Sequence, residues 1–176
     1  TAKDAKGLLK AAIRDNDPVM CMEHKLLYAK KEEIPEEEYI IPLGKADVKR
    51  EGCDITIITW SREVYFALEA AEELAKEGIS AEVLDLRTLV PLDWEAIEQS
   101  VSKTHNVIVV SEEVKRGSYA AEISAQIAEE LFDELDAPVM RVCGLNIVSP
   151  FSPTLEDENF PHPANIVQAV KKVLNR

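Results

Sequence analysis

The sequence predicts an α/β protein built on a doubly wound, mostly parallel, five-stranded sheet. Strand-like and helix-like segments alternate from residue 55 to the end of the chain. The apolar run at residues 107–110 is typical of a central parallel strand. The run EVLDLRTLVPLD (residues 82–93) passes from a buried strand through a charged tip into a helix start. That charged tip lies at the carboxyl end of a strand, where such sheets carry their sites.

The first 22 residues contain one predicted helix and one predicted strand. Apolar residues recur at helical spacing over residues 4–14, behind Asp4 as a candidate N-cap. Asp15 to Pro18 ends this helix, and residues 19–22 are predicted as a short buried strand. Because one helix and one strand cannot form a domain, we expect residues 1–22 to be the tail of a domain that begins before Thr1.

Residues 23–42 are polar and irregular, with five glutamates around Pro35. This composition predicts an exposed linker between domains. An acidic patch that binds a partner is the alternative. Residues 43–176 then form the predicted α/β domain.

The elements of the α/β domain follow in order. Strands are predicted at residues 44–50 and 55–59, joined by a turn at Glu51-Gly52, and then at residues 83–86, 107–110 and 139–142. Within this domain, Gly78 is expected to end the first helix, and Asp93 is expected to cap the second. Apolar stripes predict four helices. They comprise Val64, Ala67, Leu68, Ala71, Leu74 and Ala75; Trp94, Ile97 and Val101; Ala120, Ile123, Ile127 and Leu131; and Ile166, Val167, Val170, Val173 and Leu174.

Length, composition and charge narrow the possible functions. A chain of 176 residues that is 46% apolar can bury one core. A net charge of −13 argues against nonspecific binding to nucleic acid, because phosphates require an excess of Lys and Arg. No apolar run approaches the roughly 18 residues that span a bilayer, and no signal peptide is visible. We therefore expect no nucleic acid and no membrane partner, and a location in the bacterial cytoplasm or an organelle matrix.

Cysteines and histidines offer no recognisable metal or catalytic pattern. Cys21, Cys53 and Cys143 are odd in number and widely spaced, which favours free thiols over a disulfide framework. His24, His105 and His162 are far apart in sequence, and we interpret each as structural or surface-exposed.

Two loops are candidates for ion binding. Arg116-Gly117-Ser118 precedes a predicted helix and can cradle an anion, although a plain loop is the simpler interpretation. The other candidate is the end of the first helix, where unsatisfied carbonyls concentrate negative charge. There, the carbonyls of Ala12 and Ile13 and the carboxylates of Asp15 and Asp17 are candidate ligands for a monovalent cation. A polar turn before Pro18 is the alternative.

Several stretches together resemble one enzyme family. DAKGLLKAAIRDNDPV (residues 4–19), EEEYIIPLGKADVKREGCDITIIT (36–59), EVLDLRTLVPLD (82–93) and FDELDAPVMRV (132–142) are similar to the beta subunit of the thiamine-diphosphate-dependent component of 2-oxo acid dehydrogenase complexes. The pyruvate dehydrogenase branch is the closest match. The resemblance runs in register from Asp4 to Leu174.

The resemblance implies a domain of the transketolase C-terminal type, preceded by the last helix and strand of a pyrimidine-binding domain. It also implies an alpha2-beta2 heterotetramer that binds thiamine diphosphate and magnesium. The family's activating glutamate and active-site histidine belong to a region that this chain does not match. The resemblance therefore places no catalytic residue and no cofactor ligand in this chain, and we expect the isolated chain to be inactive.

The family also implies two binding sites in this half. Its potassium pattern, A-I-x-D-x-N, appears as Ala12-Ile13-Arg14-Asp15-Asn16-Asp17, with Asp17 in place of asparagine. Asp136 matches a carboxylate that meets basic residues of the subunit-binding domain of the acyltransferase component. The chain ends in Arg176, where the family commonly has an apolar or neutral residue, so the carboxyl-terminal part of that contact differs here.

Two loops depart from the family pattern. The loop G-G-x-G-A-E-I appears as residues 117–123, GSYAAEI, and Asn146 stands where an aspartate is usual before V-P-x-P-Y.

Two functional hypotheses follow. In the first, the chain is half of an oxidoreductase beta subunit that acts in oxidative decarboxylation of a 2-oxo acid and acyl transfer to lipoamide, with this half serving assembly and docking. Pyruvate is the expected substrate, and branched-chain 2-oxo acid and acetoin dehydrogenases are the alternatives. In the second, the chain is an autonomous docking or regulatory module without catalysis.

Overall fold

A five-stranded α/β sheet is the framework of the structure, a computed structural model that describes residues 1–175. Arg176 lies outside the described residues. The strands are β1 (Asp47–Arg50), β2 (Ile55–Thr59), β3 (Ala81–Asp85), β4 (Val107–Val114) and β5 (Met140–Gly144). They lie in the order β1-β3-β2-β4-β5, and all neighbours are parallel except β1 and β3. The predicted mostly parallel sheet is confirmed.

Helices cover both faces of the sheet. They are α1 (Ala2–Arg14), α2 (Glu63–Lys76), α3 (Trp94–Thr104), α4 (Tyr119–Glu130), α5 (Pro153–Asn159) and α6 (Pro163–Val173). The apolar sides of α2 and α6 pack on one face, and those of α3 and α4 pack on the other. This is the doubly wound arrangement that the alternating pattern predicted. None of the helices in residues 1–175 combines the length and the apolar character needed to cross a bilayer.

The central strands are buried on both sides. Every residue of β2 and β3 is buried, including Thr56 and Thr59. Thr56 satisfies its hydroxyl through the Ser100 carbonyl, 3.2 Å away, and Thr59 through the Val110 carbonyl at 3.0 Å. Branched side chains suit such strands, because they pack tightly against helices on either face.

The first strand differs from its predicted position, and its pairing was not predicted. It begins at Asp47 rather than at residue 44, and it pairs antiparallel with β3 and not with β2, which follows it in the chain. The Glu51-Gly52 turn therefore carries the chain past β3. Close packing explains the glycine, because a Cβ at Gly52 would lie 2.2 Å from the backbone nitrogen of Glu82.

The N-terminal region contains the helix but not the strand that was predicted. Thr1 is the N-cap of α1, since its side chain accepts the Asp4 N–H at 3.1 Å, so the prediction that Asp4 caps the helix was wrong. Residues 19–22 form no strand, and Met20 and Met22 are more than four-fifths exposed. An isolated segment gains no ladder hydrogen bonds, and none of the five described strands pairs with it.

Smaller differences concern local hydrogen bonds. Residues 23–42 are mostly exposed, as predicted, but they include a 3-10 helix, Lys25–Ala29. Asp93 precedes α3 without capping it, because its carboxylate accepts the Ala46 N–H at 3.0 Å. Helix α5 lies in a stretch for which the sequence predicted no helix.

Candidate functional site

The topological switch point of the sheet lies between β2 and β4. From β2 the chain moves to β3 on one side, and it returns to β4 on the other side. Doubly wound sheets bind ligands outside the carboxyl ends of such strands. Here a polar cluster occupies that position, which we call the switch-point cluster. It consists of His24, Arg62, Glu63 and Glu112.

Glu112 joins the linker to the sheet within this cluster. Its carboxylate lies 2.5 Å from the Arg62 guanidinium and 2.6 Å from Nε2 of His24. The Nδ1 of His24 accepts the Leu26 N–H at 3.2 Å, so Nε2 carries the proton that is donated to Glu112. The Arg62 guanidinium also packs over Phe66, 5.1 Å from the ring centre. These contacts fix residues 24–26 against the domain.

Glu63 is the most unusual member of the switch-point cluster. It is 1% exposed, and neither of its carboxylate oxygens has a hydrogen-bond partner among residues 1–175. The nearest cation is Arg62, whose Nη2 is 3.7 Å from Oε1. Burial, and then the negative charge of Glu112, raise the pKa of Glu63 to about 8. The group is therefore a neutral acid near pH 7.

A second polar cluster attaches α1 to the edge of the sheet, and we call it the α1 network. Asp4 lies 2.6 Å from Nζ of Lys49 and 2.7 Å from Nη2 of Arg87. Asp47 lies 2.7 Å from Lys49 and 2.8 Å from Arg87, and Asp85 lies 3.5 Å from Lys49. The α1 network thus uses the charged tip, Asp85 and Arg87, that the sequence marked as a site.

The charges of the α1 network are mutually stabilised despite their burial. Burial alone would raise the pKa of Asp4, but hydrogen bonds from Lys49 and Thr1, with the charge of Arg87, lower it to about 2. For Lys49, burial lowers the pKa, and the hydrogen bonds to Asp4 and Asp47 outweigh it, so the pKa is raised. Asp4 and Lys49 are therefore ionised at neutral pH, whereas burial raises the pKa of Asp85 within the same network.

Backbone packing also holds α1 in place. The Ile41 N–H donates to the Gly7 carbonyl at 3.2 Å, and a Cβ at Gly7 would lie 2.6 Å from Cγ1 of Ile41. The glycine therefore allows the end of the linker to lie directly on α1. Together with the α1 network, this contact fixes the helix to the domain.

The predicted cation turn lies at the exposed end of α1. The Ala12 carbonyl accepts the Asp15 N–H at 3.3 Å, and Oδ1 of Asp15 accepts the Asp17 N–H at 2.9 Å. Asp15 and Asp17 are exposed, and the Ile13 side chain is 74% exposed. The donor types fit a hard cation, since carbonyls and carboxylates lie within one turn. Binding of potassium by Ala12, Ile13, Asp15 and Asp17 stays a prediction.

The predicted docking residue, Asp136, is exposed just before β5. Its N–H donates to the His105 carbonyl at 2.9 Å, which holds the segment against the end of α3. Asp133 and Glu134 lie nearby, and Phe132 is 72% exposed. An exposed aromatic ring beside carboxylates is a suitable surface for a basic partner with an apolar contact. The docking role of Asp136 stays a prediction.

The predicted anion loop is closed at its helix end. The Glu113 carboxylate accepts the Tyr119 N–H at 2.8 Å, and Oγ of Ser118 accepts the Ala121 N–H at 3.2 Å. The start of α4 is thus capped by the chain itself, while Arg116 and Gly117 turn toward solvent. All three cysteines are free.

The sequence did not reveal either polar cluster as a unit. Glu63 appeared as an ordinary helix-start glutamate, and His24 as a lone histidine. His24 and Glu63 are far from Glu112 in sequence, and only the folded chain brings the three residues into one cluster. Lys49 gave no signal either, because one lysine in an edge strand is common.

Comparisons with known proteins agree with the observed fold. The family model for the transketolase C-terminal domain matches residues 44–166. The chain therefore belongs to the transketolase C-terminal domain family. A solved split-gene transketolase, described as an inactive beta4 tetramer, is 31% identical, with a TM-score of 0.66 over 77% of this chain and 44% of that chain. A transketolase mutant structure from Pichia stipitis, at 19% identity and a TM-score of 0.52, covers 73% of this chain and 17% of that one, and shares the fold.

Curated relatives match nearly the whole chain. The 2-oxoisovalerate dehydrogenase subunit beta of Bacillus subtilis is 50% identical over 98% of this chain and 54% of its own length. The pyruvate dehydrogenase E1 component subunit beta of Porphyra purpurea is 51% identical over 99% of this chain and 53% of its own. An acetoin:2,6-dichlorophenolindophenol oxidoreductase subunit beta of B. subtilis is 50% identical, over 97% and 50%. The chain spans about half the length of these relatives and matches the C-terminal half of such beta subunits.

Proposed function

We propose that this chain is the assembly half of the beta subunit of a thiamine-diphosphate-dependent 2-oxo acid dehydrogenase. The observation that carries the proposal is the similarity to such beta subunits at 50–51% identity over 97–99% of the chain. In this proposal the subunit works in an alpha2-beta2 heterotetramer, decarboxylates a 2-oxo acid and passes the acyl group to lipoamide.

The cofactor belongs to the rest of that assembly. Thiamine diphosphate supplies the carbanion chemistry when bound, and the protein orients it. Residues 1–175 contain no group of three or more His, Cys, Asp or Glu side chains that could hold a metal ion. On the family resemblance, we assign thiamine diphosphate and magnesium to the N-terminal half of the beta subunit and to the alpha subunit.

In this proposal, the role of this half is to hold two partner-binding surfaces in a fixed arrangement. The α1 network fixes the exposed N-terminal region to the α/β domain, so a partner bound to residues 13–28 is held rigidly against the sheet. Asp136 and Phe132 then present a second surface, for the subunit-binding domain of an acyltransferase component. The proposed location is the bacterial cytoplasm or an organelle matrix, in line with the bacterial and mitochondrial relatives.

The substrate within this class is pyruvate in our proposal, with branched-chain 2-oxo acids and acetoin as alternatives. The three kinds of relative lie at 50–51% identity, so identity alone does not separate them. A different class of function, an autonomous docking module, is favoured only by the self-contained core of the α/β domain.

Reconstitution tests the proposal. The 176-residue chain is mixed with the N-terminal half of a beta subunit and an alpha subunit. Turnover is measured as decarboxylation with pyruvate and 2-oxoisovalerate, and as carbon–carbon cleavage with acetoin, which has no carboxylate to lose. We expect turnover of one substrate in the mixture and none in the chain alone. Turnover by the chain alone, or a start codon at or near Thr1 in the gene, would contradict the proposal.

A further inference from the structure

Three cations converge on one small cavity beside the end of β5. The cavity, of about 340 Å³, is lined by Lys115, Arg116, Gly117, Arg141 and Asn146 and by no carboxylate. Within residues 1–175, none of these three cations forms an ion pair, whereas the cations of the switch-point cluster and the α1 network are all paired. Such a concentration is unexpected in a chain of net charge −13.

Hydrogen bonds position the Arg141 guanidinium and the backbone that carries Lys115 and Arg116. Nη1 of Arg141 donates to the Lys115 carbonyl at 2.7 Å, which leaves its remaining N–H groups available. The Arg116 N–H donates to Oδ1 of Asn146 at 2.8 Å. Gly117 has φ of 71°, a left-handed conformation that glycine adopts without strain, and it turns the loop around the cavity. The Arg141 guanidinium is therefore placed in advance for an anion, with Lys115 and Arg116 on a fixed backbone beside it.

A second cavity adjoins the first, because Lys115 and Arg141 line both. It measures about 490 Å³, and its polar lining comes largely from α5 and α6. Asn159 is 3% exposed, and its Oδ1 has no hydrogen-bond partner among the described residues. The remaining polar side chains of this lobe are those of Asp157, Glu158, His162 and Asn165.

We propose that the two cavities form one binding site for an organic phosphate, with the phosphate group in the basic lobe and a hydroxyl-bearing body in the polar lobe. Guanidinium and ammonium groups match phosphate oxygens in charge and geometry. Carboxylate and amide oxygens of Asp157, Glu158 and Asn159 accept hydrogen bonds from hydroxyls. The combined size lies in the usual range for small-molecule sites. This proposal does not depend on the dehydrogenase function.

Isothermal titration calorimetry on the 176-residue chain in low-salt buffer tests the proposal. The probes are inorganic phosphate, glycerol 3-phosphate, glycerol and D-glycerate. We expect saturable binding of inorganic phosphate, tighter binding of glycerol 3-phosphate, weaker binding of D-glycerate and none of glycerol. No saturable binding of either phosphate would overturn the proposal. Equal affinities for the two phosphates would overturn the role of the polar lobe, and equal affinities for D-glycerate and glycerol 3-phosphate would overturn the preference for phosphate.

Matched charge variants locate the site. Lys115→Gln and Arg116→Gln each remove one cation, and we expect each to lower the affinity for glycerol 3-phosphate about tenfold. Lys76→Gln removes an exposed cation from the last turn of α2, away from the cavity, and should leave affinity unchanged. Thermal melts confirm that all three variants are folded. An equal effect of the three substitutions would show nonspecific attraction and overturn the site.

Discussion

Residues 1–42 and the α/β domain place their apolar side chains in opposite environments. Ile57 and Ile108 in the sheet are fully buried, whereas Met20, Met22 and Tyr28 are 86%, 84% and 69% exposed. Helices on both faces close the core of the α/β domain. The N-terminal region is instead attached by the α1 network, by the backbone contact between Ile41 and Gly7 and by the contact between His24 and Glu112. The difference separates a self-contained domain from an attached segment with exposed apolar side chains, which we propose completes its fold against a partner.

The largest expected effect on the free energy of unfolding comes from truncating a buried apolar side chain rather than an exposed one. Ile108→Ala should lower the free energy of unfolding by about 4 kcal/mol, because it leaves a cavity between β4 and its covering helices. Met20→Ala truncates an exposed side chain of similar size and should change the free energy of unfolding by less than about 0.5 kcal/mol. Chemical denaturation of both variants measures the difference. Similar losses in the two variants would contradict the comparison.

The next effect releases the N-terminal segment. Asp4→Asn removes one charge from the α1 network and leaves Lys49 and Arg87 partly unpaired, which should cost about 3 kcal/mol of local stability. Amides of α1 should then exchange faster while those of β2 keep their protection. Asp15→Asn, an exposed change at the opposite end of α1, is the control. If β2 loses protection equally, the two regions unfold as one unit.

The α1 network also predicts an acid sensitivity. Because the pKa of Asp4 is lowered to about 2, its contribution is complete above the unfolded value near 3.8 and is lost as the pH falls through that window. Its loss should therefore appear in α1 before the core of the sheet responds.

A third effect concerns Glu63, whose pH dependence has the opposite sign. Its pKa is raised to about 8, so the folded state holds a proton that the unfolded state releases above about 4.5. Stability should fall between pH 4.5 and 8, by up to about 1.4 kcal/mol per pH unit. Glu63→Gln should remove this slope and stabilise the protein at pH 8. Glu69→Gln, exposed on the same helix, should leave the slope unchanged.

The sequence predicted the α/β domain well because its signals are local. Runs of branched residues and apolar stripes at helical spacing are set by burial on each element, so β2, β3 and β4 were correctly placed. The predicted strand at residues 19–22 failed because a strand needs a partner, and periodicity alone does not show whether one is present. The pairing of β1 with β3 likewise depends on sheet order, which a short turn at Gly52 does not specify.

The polar clusters were harder to predict than the fold. Asp85 and Arg87 were identified as a strand tip, but Asp4, the partner of Arg87, lies in the first helix, and Lys49, the partner of Asp85, lies in the edge strand. Glu63 and Glu112 meet only because β2 and β4 are neighbours in the sheet. Resemblance to a family supplied the prediction for Asp136, which no local pattern would have separated from other surface carboxylates. The cation turn was suggested first by the unsatisfied carbonyls at the end of the helix and then matched the family's potassium pattern.

Asp136 should have the smallest effect on the chain itself and a clear effect on a partner. In a full-length beta subunit, Asp136→Ala should leave stability and decarboxylation by the heterotetramer unchanged. It should weaken binding of the acyltransferase subunit-binding domain by about 2–5 kcal/mol and make the remaining binding less salt-sensitive. Titration calorimetry measures both effects, with Asp133→Ala as the matched control. Equal affinity of Asp136→Ala and the unmodified subunit would exclude the docking role.

Hydrogen exchange of the N-terminal segment tests the central claim most directly. The 176-residue chain is compared alone and mixed with the N-terminal half of a dehydrogenase beta subunit. We predict that amides of residues 19–22 exchange rapidly in the chain alone and become protected in the mixture, while β2 is protected in both. Strong protection of residues 19–22 in the chain alone, or no change on mixing, would contradict the claim that this segment completes its fold against a partner.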